Sequence, residues 1–368
     1  MLVTYLGGEG SSGLGGINGT VTATDALLRY RVEADTSAVM AARPGFAETG
    51  YDLYDGARLT LTGATMPLTL AGNGSADVTG DIVIGARPAI TVSDVVIAPG
   101  ETRAGQTNLD IISRATLTLA RSSGASSTAY AAVQAGSDGR FTNAGTIVVR
   151  GTPSYPTVAI VGSNRTTVVN DGTISLDAAT GIADAGEVTN NGTIRQLAGG
   201  RVSNGIFAWS GLTLINTGTI EVAGRAADST SLMTIDNAGR IASTSGVAIG
   251  GGQYDPSAIV TNRAGATIAG NGTAIRVGGG SLDNAGTIVG TVDLGFSSYG
   301  PDNRAFTRAT YVARGGTIAG DLRFGNGDDM LVVYDDVTGV SGTIDAGAGT
   351  NTYVHARTTS GAVTLGGG

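Results

Sequence analysis

Cysteine and lysine are both missing from the 368 residues. The first absence excludes a disulfide framework, thiolate metal sites and a cysteine nucleophile. The second leaves 22 basic residues, all arginine and scattered, against 30 acids, for a net charge of −8. With no basic stripe or polybasic run, nothing attracts a phosphate backbone or an anionic membrane, and nucleic acid is not an expected partner. No apolar run approaches the length of about 18 residues that a membrane helix needs. Residues 1–8 also lack the basic and apolar regions of a signal peptide. Charged residues make up only 14% and aromatic ones 5%, where globular chains carry about 25% charge. Helical spacing is absent too: two-residue alternation recurs everywhere, and no repeat segment places apolar residues at i, i+3, i+4 and i+7 over a helix length.

Glycine is plentiful instead, at 61 residues without a collagen period, and so are Thr, Val, Ile and Asn. They are organised by a seven-residue unit, apolar-x-Asn-x-Gly-Thr-Ile. It stands at residues 141–147, 168–174, 188–194, 214–220 and 282–288, with Arg for Thr at 235–241, and stretched by two at 260–268. The closing isoleucines at 147, 174, 194, 220, 241, 268 and 288 are spaced by 27, 20, 26, 21, 27 and 20 residues, so long and short turns alternate. A fixed unit at this period is a solenoid signature.

Side chains on a strand alternate faces, so the apolar residue before Asn and the Ile after it point inward and Thr outward. Asn and Gly tolerate left-handed backbone, which predicts a corner there. Val247/Ile249 and Ile275/Val277 alternate in the same way and predict a third strand per turn. The expected fold is all-β: a right-handed parallel β-helix of 20–27 residues per coil. Like coils would bring the isoleucines into one interior column. Asn143, Asn170, Asn190, Asn216, Asn237 and Asn284 would form a corner column, their amides bonded up the stack. A leucine-rich repeat shares the period but needs a Leu-x-x-Leu-x-Leu frame and a following helix, both absent; glycine inside a helix costs about 0.8–1.0 kcal/mol against Ala.

Residues 1–56 are the least repetitive and are expected to cap the solenoid, whose open edge would otherwise invite strand pairing. Residues 57–140 alternate strongly without the motif and read as irregular coils, with a separate sandwich as the alternative. Residues 141–290 are the regular coils and 291–368 the looser C-terminal ones. About sixteen coils at about 4.8 Å each predict a rod on the order of 75 Å.

The Asn-x-Gly-Thr-Ile coils resemble the passenger domains of bacterial type V autotransporters. The Gly-Asn-Gly-Asp-Asp run at 325–329 and Gly-Thr-Ile-Asp-Ala-Gly-Ala-Gly-Thr-Asn-Thr at 342–352 look like the end of such a passenger. The likeness covers residues 57–368, most strongly from 141 onward. It implies export to the bacterial cell surface through a C-terminal outer-membrane β-barrel, the chain being a piece of a longer precursor. It also implies a scaffold or adhesin role, with a glycan, a host or neighbouring-cell protein, or a second copy as partner. The lack of cysteine suits passage through a barrel unfolded.

Candidate chemistry is sparse. His355 is the only histidine, and alternation sets it on the face opposite Val354, where an outward, solvated strand residue is the simpler reading than a catalytic base. A Ser-His-Asp triad therefore has little to draw on. The pairs Asp328/Asp329 and Asp335/Asp336 are adjacent in sequence, and adjacent strand residues point apart, unlike the paired carboxyls of a glycosidase. Residues 324–332 match a Ca²⁺-binding nonapeptide save for Phe324 at its first glycine, which makes Asp328 and Asp329 candidate metal ligands; without tandem copies, corner chemistry is the simpler reading and no cofactor is required. The aromatic residues of the regular coils beyond Phe141, namely Tyr155, Phe207, Trp209 and Tyr254, all lie in long coils. Phe207 and Tyr254 are 47 residues apart, the same phase of the double repeat, so the four are candidate binding residues for sugar rings or a protein surface. The simpler reading is that they cover their own insertions. A β-helix polysaccharide lyase or glycoside hydrolase is the alternative function.

Overall fold

The computed structural model describes residues 2–6, 26–32, 35–39, 46–53, 57–84 except 66 and 73, 88–92, 95–98, 101–104, 110–120, 130–152 except 137, 157–250, 257–298, 305–334 except 306, and 338–356. Among them every regular element is a strand. Apart from the antiparallel pair Val95–Ala98 and Glu101–Ala104, the strands form one continuous sheet system whose pairings are all parallel. Each coil contributes strands to three columns, and the fold is a parallel β-helix.

The first column holds the strands that end on the motif asparagine. Arg140–Asn143, Thr167–Asn170, Glu187–Asn190, Leu212–Asn216, Met233–Asn237, Ala258–Asn262 and Gly280–Asn284 pair each with the next, Asn on Asn. The second holds the closing isoleucines: Leu117, Ile147, Ile174, Ile194, Ile220, Ile241, Ile268, Ile288 and Ile318 are successive register partners. All are sealed from solvent. The third stacks Val133, Ile160, Ile182, Ile206, Ala227, Ile249, Ile275, Val292 and Leu322. β-Branched side chains suit this role because they stand stiffly off a pleated strand and meet their own kind one coil away.

The third column continues below the motif region. Leu2–Leu6, Ala26–Val32, Phe46–Leu53, Leu68–Gly72 and Ile90–Val92 pair in series and lead into Ala131–Gln134. The described strands of residues 1–56 are thus members of the same stack. Arg58–Ala64, Ser75–Ile84 and Asp110–Ser113 likewise continue the first column in parallel. The third column passes through fifteen strands, which at about 4.8 Å per step makes a rod on the order of 65–70 Å.

The asparagine corner is held in two ways. Inside, the amides form an unbroken ladder of one polarity. Asn143 Nδ2 donates to Asn170 Oδ1 (2.8 Å), Asn170 to Asn190 (2.7 Å), Asn190 to Asn216 (2.7 Å), Asn216 to Asn237 (2.8 Å), Asn237 to Asn262 (2.9 Å) and Asn262 to Asn284 (2.8 Å). From Asn190 upward Nδ2 also reaches the backbone carbonyl preceding a motif Ile, as from Asn190 to Thr219 (3.3 Å) and from Asn284 to Thr317 (3.3 Å). All seven asparagines are 0% exposed. Asn262, in the stretched unit, is a full rung, its two extra residues absorbed by a turn with Gly265 at φ 81°.

On the main chain, the Asn143 carbonyl accepts from both Asp171 N and Gly172 N (2.8 Å each), and Asn170 and Asn190 repeat the pattern. The left-handed backbone expected at this corner is not there: Gly145, Gly172, Gly192, Gly218 and Gly239 are not among the residues of positive φ. Glycine is required by close approach instead. A Cβ on Gly172, Gly192, Gly218 or Gly239 would sit well inside contact distance of the glycine carbonyl one coil below.

Two further expectations are corrected. Val247 is half-exposed and precedes the strand Ile249–Gly250, so of the pair Val247/Ile249 only Ile249 joins the inward column. His355 does not face outward. It continues the asparagine position through Ala313 and Val333 and is half-buried, while Val354 takes the outward side.

The ladder ends at Asn143, whose Oδ1 has no partner, above Ser113, whose Oγ is also buried and unpartnered. Ser113→Asn supplies the missing donor and is expected to stabilise the protein by about 0.5–1.5 kcal/mol. Asn190→Ala strands Asn170 Nδ2 and Asn216 Oδ1 and should cost about 2–4 kcal/mol, whereas the outward Thr189→Ala should stay within about 0.5 kcal/mol. Denaturant midpoints of the three variants check this, and equal losses at 189 and 190 would show that the ladder adds nothing.

Candidate functional site

The third column carries the site residues because its strands lead into the insertions of the long coils. Inward positions are Ile182, Ile206 and Ala227; the outward row one residue on is Ala183, Phe207 and Asp228. Phe207 ends its coil beside Trp209, with ring centroids 5.0 Å apart and planes at 89°, an edge-to-face pair. Trp209 is 58% exposed.

Coils on both sides clamp this pair. Below, Asp184 sits in the left-handed region at φ 61°, a conformation that Asp tolerates better than most residues. Its N–H donates to the Phe207 carbonyl (2.8 Å) and its carboxylate accepts from Trp209 N (3.3 Å). Above, Thr230 N donates to the Ala208 carbonyl (3.1 Å) and its hydroxyl to the Trp209 carbonyl. The chain around the indole is therefore fixed by three consecutive coils while the indole stays open to solvent.

Two carboxyls beside the pair are perturbed. Asp228 is 2% exposed, and burial pushes its carboxyl above the ordinary range against the opposing pull of Arg225 Nη1 (2.9 Å) and the Ser229 N–H (2.9 Å). Asp184 is raised as well, by burial more than its bond from Trp209 N lowers it. Desolvation disfavours the charged form, and here it outweighs the partners.

Of the sequence candidates, Phe207 and Trp209 come together, while Tyr155 and Tyr254 lie outside the described residues, as do Asp335 and Asp336. Asp328 and Asp329 serve the stack: Asp328 Oδ1 accepts from Thr350 N one coil above (2.7 Å), and Asp329 Oδ1 from Ala309 N one coil below (2.6 Å). Asn351, one coil above, accepts from Asp329 N (2.9 Å). Among the described residues no three His, Cys, Asp or Glu side chains gather as metal ligands. Asp184, Arg225, Asp228 and Thr230 have no motif of their own. Coil register is the signal that finds them, since Asp228 follows Phe207 by one short turn of 21 residues.

Comparison with protein-family models, curated proteins and solved structures returns no match.

Because the folded carboxyl of Asp228 binds its proton more tightly than the unfolded one, its contribution is most favourable below pH 3.8 and is lost as pH rises through the raised folded value. Asp228→Asn removes this dependence while keeping an oxygen for Ser229 N. The stability of the variant relative to the parent is therefore expected to grow between about pH 3 and 7. A difference flat across that range in paired melting curves would show that Asp228 is not desolvated.

Proposed function

We propose that this chain is a non-catalytic display rod, the passenger segment of an exported bacterial surface protein, which contacts glycan or protein surfaces through the side bearing Phe207 and Trp209. The observation that carries the reading is the clamped, open indole on an otherwise regular stack. Its main-chain groups are engaged by Asp184 and Thr230, so docking costs little ordering, and an exposed Trp beside a Phe offers apolar area for a sugar ring or a side chain. The absence of cysteine and the Asn-x-Gly-Thr-Ile coils support the export half of the reading. A stiff rod adds weak contacts along its length through multivalency.

A second reading draws on one observation, the pair of raised carboxyls at Asp184 and Asp228. Perturbed acids beside an aromatic are also what a polysaccharide-cleaving site would use. Both are engaged by main-chain N–H groups here, which favours the binding role.

Beads coated with the chain are expected to adhere to surfaces carrying polysaccharide or extracellular protein. Trp209→Ala should weaken that adhesion at least about tenfold with its denaturant midpoint moved by less than about 0.5 kcal/mol. Undiminished adhesion would remove the aromatic pair from the contact surface, and loss of adhesion to one coating alone identifies the partner class. New reducing ends from a polysaccharide panel, abolished by Asp184→Asn, would replace binding by catalysis. The export half is checked in the coding sequence beyond residue 368, where alternating barrel strands are expected.

A further inference from the structure

A groove of about 770 Å³ opens where the second column turns into the third. Thr152, Thr180, Asn204, Ala223 and Ser245, which line it, come from five successive coils, so it runs along the rod axis for about 20 Å. It lies at the start of strand Asn204–Ala208, and Trp209 lies just past the strand's other end. It is a site apart from the aromatic pair.

The wall is built and fixed. Gln196 Nε2 donates to the Gly200 carbonyl (2.8 Å), and its Oε1 accepts from Ser203 N (3.2 Å) and Ala223 N (3.0 Å). Arg201 donates from its backbone N to Asp177 Oδ1 (2.8 Å), from Nε to the same oxygen (3.4 Å) and from Nη2 to the Gly151 carbonyl (3.0 Å). The backbone N–H of Arg201, and then its guanidinium, hold the Asp177 carboxyl below the ordinary range. The pair stays ionised and self-compensated, and Arg150, the register partner of Asp177, adds to the pull on its carboxyl. Ala179 and Ala223 make a small apolar floor.

The groups left to a ligand are side-chain hydroxyls and an amide. Thr152 is 7% exposed and its Oγ1 has no hydrogen-bond partner, an unusual state for a buried hydroxyl. A turn about χ1 would present it to a neighbour in the groove. Asn204 Oδ1 accepts from Arg225 N (3.0 Å), which leaves its Nδ2 protons for donation. The wall strands are already paired with coils on both sides, so a peptide cannot add as a further strand. A long, shallow-floored channel that offers isolated hydroxyl and amide groups at the coil spacing matches a chain of polyol rings.

We propose that this groove binds a linear oligosaccharide laid along the rod axis, a ring hydroxyl of which completes the hydrogen bonding of Thr152 and another that of Asn204. The inference does not depend on the display reading. Xylo-oligosaccharides and oligogalacturonides, titrated into the full chain by calorimetry, are the two probes. Saturable binding of at least one is expected. Thr152→Val, which preserves shape, and Asn204→Ala should each weaken that binding at least tenfold, both measured with Trp209→Ala also in place so that sugar held on the indole is not counted. A melting curve for each variant separates lost contact from lost fold. Binding of neither probe, or binding equal to the parent's in both Thr152→Val and Asn204→Ala, overturns the proposal.

Discussion

One asparagine per coil faces the next asparagine across a single strand spacing, and that contact sets the register of everything else. Its amide gives one proton upward and takes one from below, while its carbonyl collects the N–H groups of the next corner. A side chain this deep in an apolar core is tolerable only if its bonds are made, and they are made only if consecutive coils align Asn on Asn. The aligned amides share one polarity, so each bond polarises the next. Glycine two residues on enforces the same alignment sterically, since it must lie close over the carbonyl of the glycine one coil below. Attraction and exclusion act at one corner and select one register.

Because each coil touches only its neighbours, this constraint is local and repeats without limit of length. It also frees the rest of the coil. The turns after the isoleucine strand and after the third strand carry no ladder, and there the sequence lengthens by five to seven residues in alternate coils. Phe207 and Trp209 belong to such a lengthened coil and Asp184 to the short one beneath it. The alternation of long and short turns therefore brings an insertion and its support into contact.

The periodic features were legible because they answer to a single geometric demand. Ile174, Ile194 and Ile220 lie directly over one another, and the spacing alone predicts it. What was not legible depends on what a neighbouring coil contributes. Nothing in Ala-Gly-Thr-Ile distinguishes a glycine needed for positive φ from one needed for close approach; only the carbonyl beneath it does. His355 was assigned outward from its own strand, but the column through Asn284, Ala313 and Val333 decides its face. Asp228 has the phase of an exposed residue and is buried nonetheless.

Sites on such a stack are composite. The aromatic pair is held by residues of three coils and the groove is lined by five. None of these coils brings more than a few of the groups, so the geometry of a site is the geometry of the register. A slip of one residue would turn inward positions outward along the entire strand, dispersing Asp184, Trp209 and Thr230 from each other before any of them changed in itself. The asparagine ladder touches neither site, yet it is what fixes the distances within both. Selection on a binding surface in this fold therefore acts on the corner as well, and side chains far from a ligand can be as demanding of identity as those that meet it.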